Sequence, residues 1–129
     1  MQIDIFLLAD HVQISEGKLY LSGGCWSHLR VDRLPIRQHV GLALGVRVGP
    51  EDVGERHLFR IDMETPGGLV ELGSGHFETE RIEGPGDILI IAINAELPIE
   101  SAGGYNLILR TDGSESKRIA FHVTAPPPA

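Results

Sequence analysis

Six histidines, one cysteine and one tryptophan, with several closely spaced carboxylates, are the side chains through which this 129-residue chain could do chemistry. A metal site needs three or four ligands converging at about 2.0–2.3 Å, and on a strand its usual sign is a pair of ligands at i and i+2. His11, His28, His39, His57, His76 and His122 contain no such pair among themselves. Asp10 and His11 are adjacent and point to opposite faces of a strand, whereas His76 and Glu78 do have the i, i+2 spacing. We read the latter two as exposed polar residues at a strand edge, and no metal or other cofactor is expected.

A nucleophilic Cys25 would need a cationic neighbour or a helix N-terminus to lower its pKa, and the sequence shows no convincing helix. Cys25 alternates with Leu19, Leu21 and Gly23, which reads as a buried structural thiol. Gly73-Ser74-Gly75 lacks the spacing and the strand-to-helix turn of a hydrolase serine elbow. No glycine-rich phosphate loop opens a helix. Asp62 and Glu64 share one face of a strand that reads as solvated. No catalytic residue is assigned, and the chain is expected not to be an enzyme. Trp26 follows Gly23-Gly24, where a strand can kink. It either plugs an open end of the core or stands as a binding anchor.

The elements that must position these groups are strands. Val40, Leu42, Leu44, Val46 and Val48 alternate with His39, Gly41, Ala43, Gly45 and Arg47, the pattern of a half-buried strand. Phe59, Ile61 and Met63 repeat it, as do Tyr105, Leu107 and Leu109, and Ile119, Phe121 and Val123. Ile88 to Ile93 is apolar on both sides and suits a central strand. Turn residues fall between: Ser15-Glu16-Gly17-Lys18, Pro66-Gly67-Gly68 as a type II turn, and Thr111-Asp112-Gly113-Ser114 as a tight hairpin.

Eight strands are expected, at about 2–14, 17–29, 38–48, 55–65, 69–80, 86–97, 104–111 and 116–124. This pattern predicts a single all-β domain over residues 1–124, an antiparallel β-sandwich of immunoglobulin-like Greek-key type rather than a closed barrel, with a proline-rich tail at 125–129. Tyr105 is placed to close a corner by bonding back to the backbone.

Leu8-Ala9-Asp10, Gly17-Lys18-Leu19-Tyr20, Gly23-Gly24-Cys25-Trp26 and Gly41-Leu42-Ala43-Leu44, with Gly104-Tyr105 and Phe121-His122-Val123, together resemble an uncharacterised bacterial family of small all-β proteins. The resemblance implies one small sandwich-like domain and assigns no activity.

Eleven Lys and Arg against eighteen Asp and Glu leave a net charge of −7, which disfavours nucleic acid as a partner. The longest apolar run, Ile88–Ile93, is far short of the roughly 20 residues of a membrane-spanning helix. Met1 to Asp10 has no basic region of a secretory signal, and a lone cysteine with no Asn-x-Ser/Thr acceptor points to the cytoplasm.

The leading expectation is a non-enzymatic protein-interaction or structural domain that pairs with itself or with a protein partner through an exposed sheet edge. The least protected edge is Gly68 to Gly75, with Glu71 its one acid, and Leu72 is its candidate contact residue. The alternative is a small-ligand or carbohydrate-binding module that uses Trp26 for stacking.

Overall fold

The computed structural model describes residues 1–79 and 87–127. Among them nine strands form two sheets packed as a sandwich: β1 Gln2–Ser15, β2 Lys18–Gly24, β3 His28–Arg30, β4 Ile36–Val48, β5 Arg56–Thr65, β6 Gly68–Glu78, β7 Asp87–Ile99, β8 Gly103–Thr111 and β9 Ser114–Thr124. The four-stranded sheet has the order β2-β1-β4-β7 and the five-stranded sheet the order β3-β9-β8-β5-β6. Valine- and leucine-rich inward faces form one core, in which Val40, Leu44, Met63, Leu97, Leu107 and Leu109 are fully buried. Hairpin geometry follows the turn residues. Glu16 and Gly17 take φ 52° and 72°, and Asp112 and Gly113 take φ 48° and 87°, the left-handed pairs whose twist matches the flanking strands.

The segment expected as one strand over 17–29 is two. Gly23 and Cys25 both adopt positive φ, 59° and 62°, and the chain leaves the first sheet there. It re-enters as β3, which runs parallel to β9 with His28 opposite His122. The sandwich is therefore not wholly antiparallel. The same break overturns the buried reading of Cys25, which is an exposed free thiol. Leu21, on the face it was grouped with, is itself 40% exposed, and the left-handed backbone takes Cys25 out of that alternation as well.

β4 and β7 exchange their expected roles. β4 is buried on both faces from Val40 to Val46, including Gly41, Ala43 and Gly45, which the alternation left wet. Beyond Ala9, β1 parts from β4, stays paired only with β2, and folds across the outer face of the sheet. A Cβ on Gly41 would stand 2.7 Å from the Val12 nitrogen, so only glycine admits this approach. Ala9, Val12 and Ala43 are buried beneath the arm. Asn94 of β7 pins it by donating from Nδ2 to the Val12 carbonyl at 2.7 Å and accepting from the Val12 N–H at 3.1 Å. The isoleucine-rich β7 is the edge of its sheet among the described residues, half-exposed from Leu89 to Ile93, because no further described strand pairs beyond it.

Two smaller differences concern turns and charge. At Pro66-Gly67-Gly68 the positive φ of 136° falls on Gly68 rather than on Gly67, so the turn is not type II. Asp62, expected on a solvated face, is 1% exposed. A bulge after Ile61 and two arginines enclose it. The Tyr105 corner forms as read: its hydroxyl donates to the Ser101 carbonyl at 2.6 Å. The expected strand ends at 80 and 86 and the last two tail residues lie outside the described residues.

Candidate functional site

Among the described residues, β6 and β7, the outer strands of the two sheets, stand across the core from one another on one side of the sandwich. Between them is an apolar cavity of about 250 Å³, lined by Leu42, Phe59, Ile61, Leu72, Ile93 and Ala95 with Gly73 and Ser74 at its rim. Local pairing explains the position of Leu72. Ile61 faces Gly73 and Asp62 faces Glu71, so Leu72 is the extra residue of a β-bulge on β6. A bulge re-aims the side chain it carries, and Leu72 turns half-buried against the core. Beside this seam Leu69 is 59% exposed and Ile88 42%, with Val70 also exposed. Ile88 to Asn94 contains no charged residue and no proline, the usual protections of a sheet edge.

Trp26 lies away from that seam. It follows the Cys25 break, stands half-buried against the core and meets Phe121 edge-on at a centroid distance of 5.8 Å. Phe121 in turn stacks on Tyr105 at 5.2 Å, so the tryptophan continues the aromatic layer behind the tyrosine corner. Its indole Nε1 is buried without a hydrogen-bond partner. The two residues singled out in the sequence, Trp26 and Leu72, are thus not brought together. His76 and Glu78 are exposed, and His76 Nδ1 takes its contact from Arg56 at 3.1 Å.

A second arrangement escaped the sequence reading. The loop between β4 and β5 makes one 3-10 turn at Pro50–Asp52, whose buried Asp52 accepts the Gly49 N–H at 2.9 Å and pairs with the Met1 ammonium at 3.1 Å, both through Oδ2. His57 enters β5 with its ring stacked on Phe77 at 5.3 Å. From the β8–β9 turn, Asp112 accepts the Leu58 N–H through Oδ1 at 3.0 Å and the His57 Nδ1–H through Oδ2 at 2.9 Å. These bonds fix the imidazole so that Nε2 lies 3.9 Å from Asp52 Oδ1 and 3.8 Å from Glu55 Oε2. The Gly49 N–H, and after it the Met1 ammonium and His57, outweigh burial and hold the Asp52 carboxyl below the usual range. His57 and then the Leu58 N–H do the same for Asp112. The signal was present: stepping back by two from Met63, Ile61 and Phe59 reaches His57, an inward position for a polar ring.

A family model described as "Family of unknown function (DUF6941)" matches residues 4–124. No curated protein matches the chain. Among solved structures, the Pseudomonas fluorescens alkylpurine DNA glycosylase AlkC bound to DNA containing an abasic site analog is similar at 11% identity and a TM-score of 0.48. The similarity covers 77% of this chain and only 28% of that one, and it carries no functional argument. Among the described residues no helix is long and apolar enough to cross a membrane.

Proposed function

The chain belongs to DUF6941, a family without an assigned role, and we propose from its geometry that it is a non-enzymatic protein-interaction domain whose first partner is a second copy of itself. The observation that carries this is the seam between β6 and β7. There the bulged Leu72 lines an apolar cavity beside an uncharged strand edge. Self-pairing suits that edge. An antiparallel match centred on Ile91 sets Ile88 opposite Asn94, Leu89 opposite Ile93 and Ile90 opposite Ala92. Asp87 then faces Ala95 and Glu96 falls beyond the matched stretch, so like charges do not meet. Such a contact is isologous and closes as a two-fold dimer.

The immunoglobulin-type assignment belongs to the same reading. It is supported by the sheet order β3-β9-β8-β5-β6 and by the Tyr105 hydroxyl bonded to Ser101 at the corner before β8. A cytoplasmic setting is supported by the single free thiol of Cys25.

Sedimentation velocity and native mass spectrometry of the full chain test the proposal, comparing the wild type with Leu72→Lys and Ile88→Lys. Both positions are partly exposed, so either lysine can reach water without unfolding the core. A concentration-dependent dimer that both substitutions convert to monomer, with circular dichroism unchanged, is the expected result. A wild type that stays monomeric, or a dimer that survives both lysines, overturns it.

A further inference from the structure

His57 is 9% exposed, and its Nε2 is buried without a hydrogen-bond partner. The two acceptors that face this nitrogen, Asp52 Oδ1 at 3.9 Å and Glu55 Oε2 at 3.8 Å, lie beyond N–H···O range. A buried ring nitrogen that points between two carboxylates yet bonds to neither has the geometry of a ligand. From this we propose that Asp52, Glu55 and His57 form a site for one divalent cation of the Zn²⁺ type. Asp112 is the outer-shell carboxylate that orients the imidazole.

Three features support the assignment. Ligand atoms at about 2.1 Å from a tetrahedral cation stand roughly 3.4 Å apart. The two spacings from His57 Nε2 exceed this by a few tenths of an ångström, and all three ligand atoms lie within 4.8 Å of one another, so the set closes by an adjustment of the carboxylates. Glu55, with its side chain 62% exposed, is free to make that adjustment. Second, the Nδ1–H bond to Asp112 supplies the carboxylate–histidine pairing that fixes tautomer and ring orientation in metal sites. Third, one imidazole with two carboxylates suits a borderline cation better than Ca²⁺ or Mg²⁺, which take mainly oxygen ligands in larger number. The Met1 ammonium occupies Asp52 Oδ2 and leaves Oδ1 for the cation. A bound ion would tie the β4–β5 loop to β5 and, through Asp112, to the β8–β9 turn. Three protein ligands leave the fourth position for water or for a donor from a partner.

This site is independent of the β6–β7 seam, and its test reads metal rather than oligomer mass. Isothermal titration of the full chain with ZnCl₂, with MgCl₂ as control, is to be combined with native mass spectrometry and the absorption spectrum of the Co²⁺ form. One Zn²⁺ per chain and a tetrahedral Co²⁺ spectrum are expected, with little response to Mg²⁺. The exposed-residue change Glu55→Gln should weaken binding by about tenfold or more. Asp112→Asn, which keeps a residue tolerant of the left-handed turn, should cost about 10–100-fold. His57→Gln should abolish the spectrum, with circular dichroism checking that the variant folds. Two exposed ring pairs, His11 with His39 at 5.8 Å and His28 with His122 at 5.9 Å, are the adventitious sites to tell apart from it. No stoichiometric binding, binding untouched by Glu55→Gln and Asp112→Asn, or binding lost only when one of these histidine pairs is replaced would each overturn the assignment.

Discussion

At the scale of single residues, Asp62 ties stability to pH through a buried carboxylate held by two arginines. Its Oδ2 accepts from Arg60 Nη2 at 3.0 Å and from Arg110 Nε at 2.9 Å. Burial alone would raise its pKa, but the Arg110 and Arg60 bonds outweigh it and hold the carboxyl below the usual range. The folded-state value is depressed, so the unfolded chain binds the proton more readily. The contribution of Asp62 is therefore complete above about pH 4 and is lost as the pH falls through the folded value. Asp52 and Asp112 act in the same direction. Urea unfolding followed from pH 7 down to pH 2 should show stability falling most steeply below about pH 4. Asp62→Ala should cost about 2 kcal/mol at pH 7, since it removes charge-assisted hydrogen bonds from two arginines that stay partly exposed, and should flatten that acid limb. An unchanged acid limb would mean that other groups set it. Alternation with Glu64 marked Asp62 as wet, and what it could not show is that Arg110 arrives from another strand. The tyrosine corner was legible because its partner, Ser101, lies only four residues away in the chain.

Among the elements, the arm formed by the outer half of β1 and by β2 decides which strand is dry. Gly41→Ala places a methyl group against the Val12 backbone and must push the arm outward. We expect a loss of about 1–3 kcal/mol in chemical denaturation, as for other overpacked sites. Amide exchange over residues 10–22 should quicken while β8 and β9 keep their protection, and unchanged exchange in the arm would refute the coupling. The sequence pattern made β7 look central and β4 half-wet, the reverse of the structure. Hydrophobicity records what a strand can tolerate, whereas which strand is covered depends on a backbone approach that only Gly41 reveals, and only in three dimensions. The split of the second strand was hidden for a related reason. Gly23 invited a bend, but the left-handed turn is completed by Cys25, a residue type that seldom adopts it.

For the whole molecule, an all-β sandwich was readable from period-two patterns and turn chemistry. The pairing of distant strands was not, because nothing local specifies that β3 lies beside β9. The candidate seam was half legible: Leu72 and its edge were named from composition, but β7 was assigned to the interior and the bulge left no mark in the pattern. The net charge of −7 bears on association. Two acidic copies repel at long range, and raising salt from about 0.05 to 0.5 M shortens that reach several-fold while leaving an apolar edge contact intact. Sedimentation should therefore show the dimer strengthening with NaCl, and a dimer that dissolves in salt would point to ion pairs in place of β7. The parallel contact of β3 with β9 sets an order of events during synthesis. Leu29 must wait for Val123, 94 positions downstream, before it has a backbone partner. Until then Trp26 lacks the Phe121 edge it rests on. A ribosome-bound chain halted before residue 114 should carry its first sheet's hairpin but an uncovered tryptophan, so this domain finishes folding only as its last strand emerges.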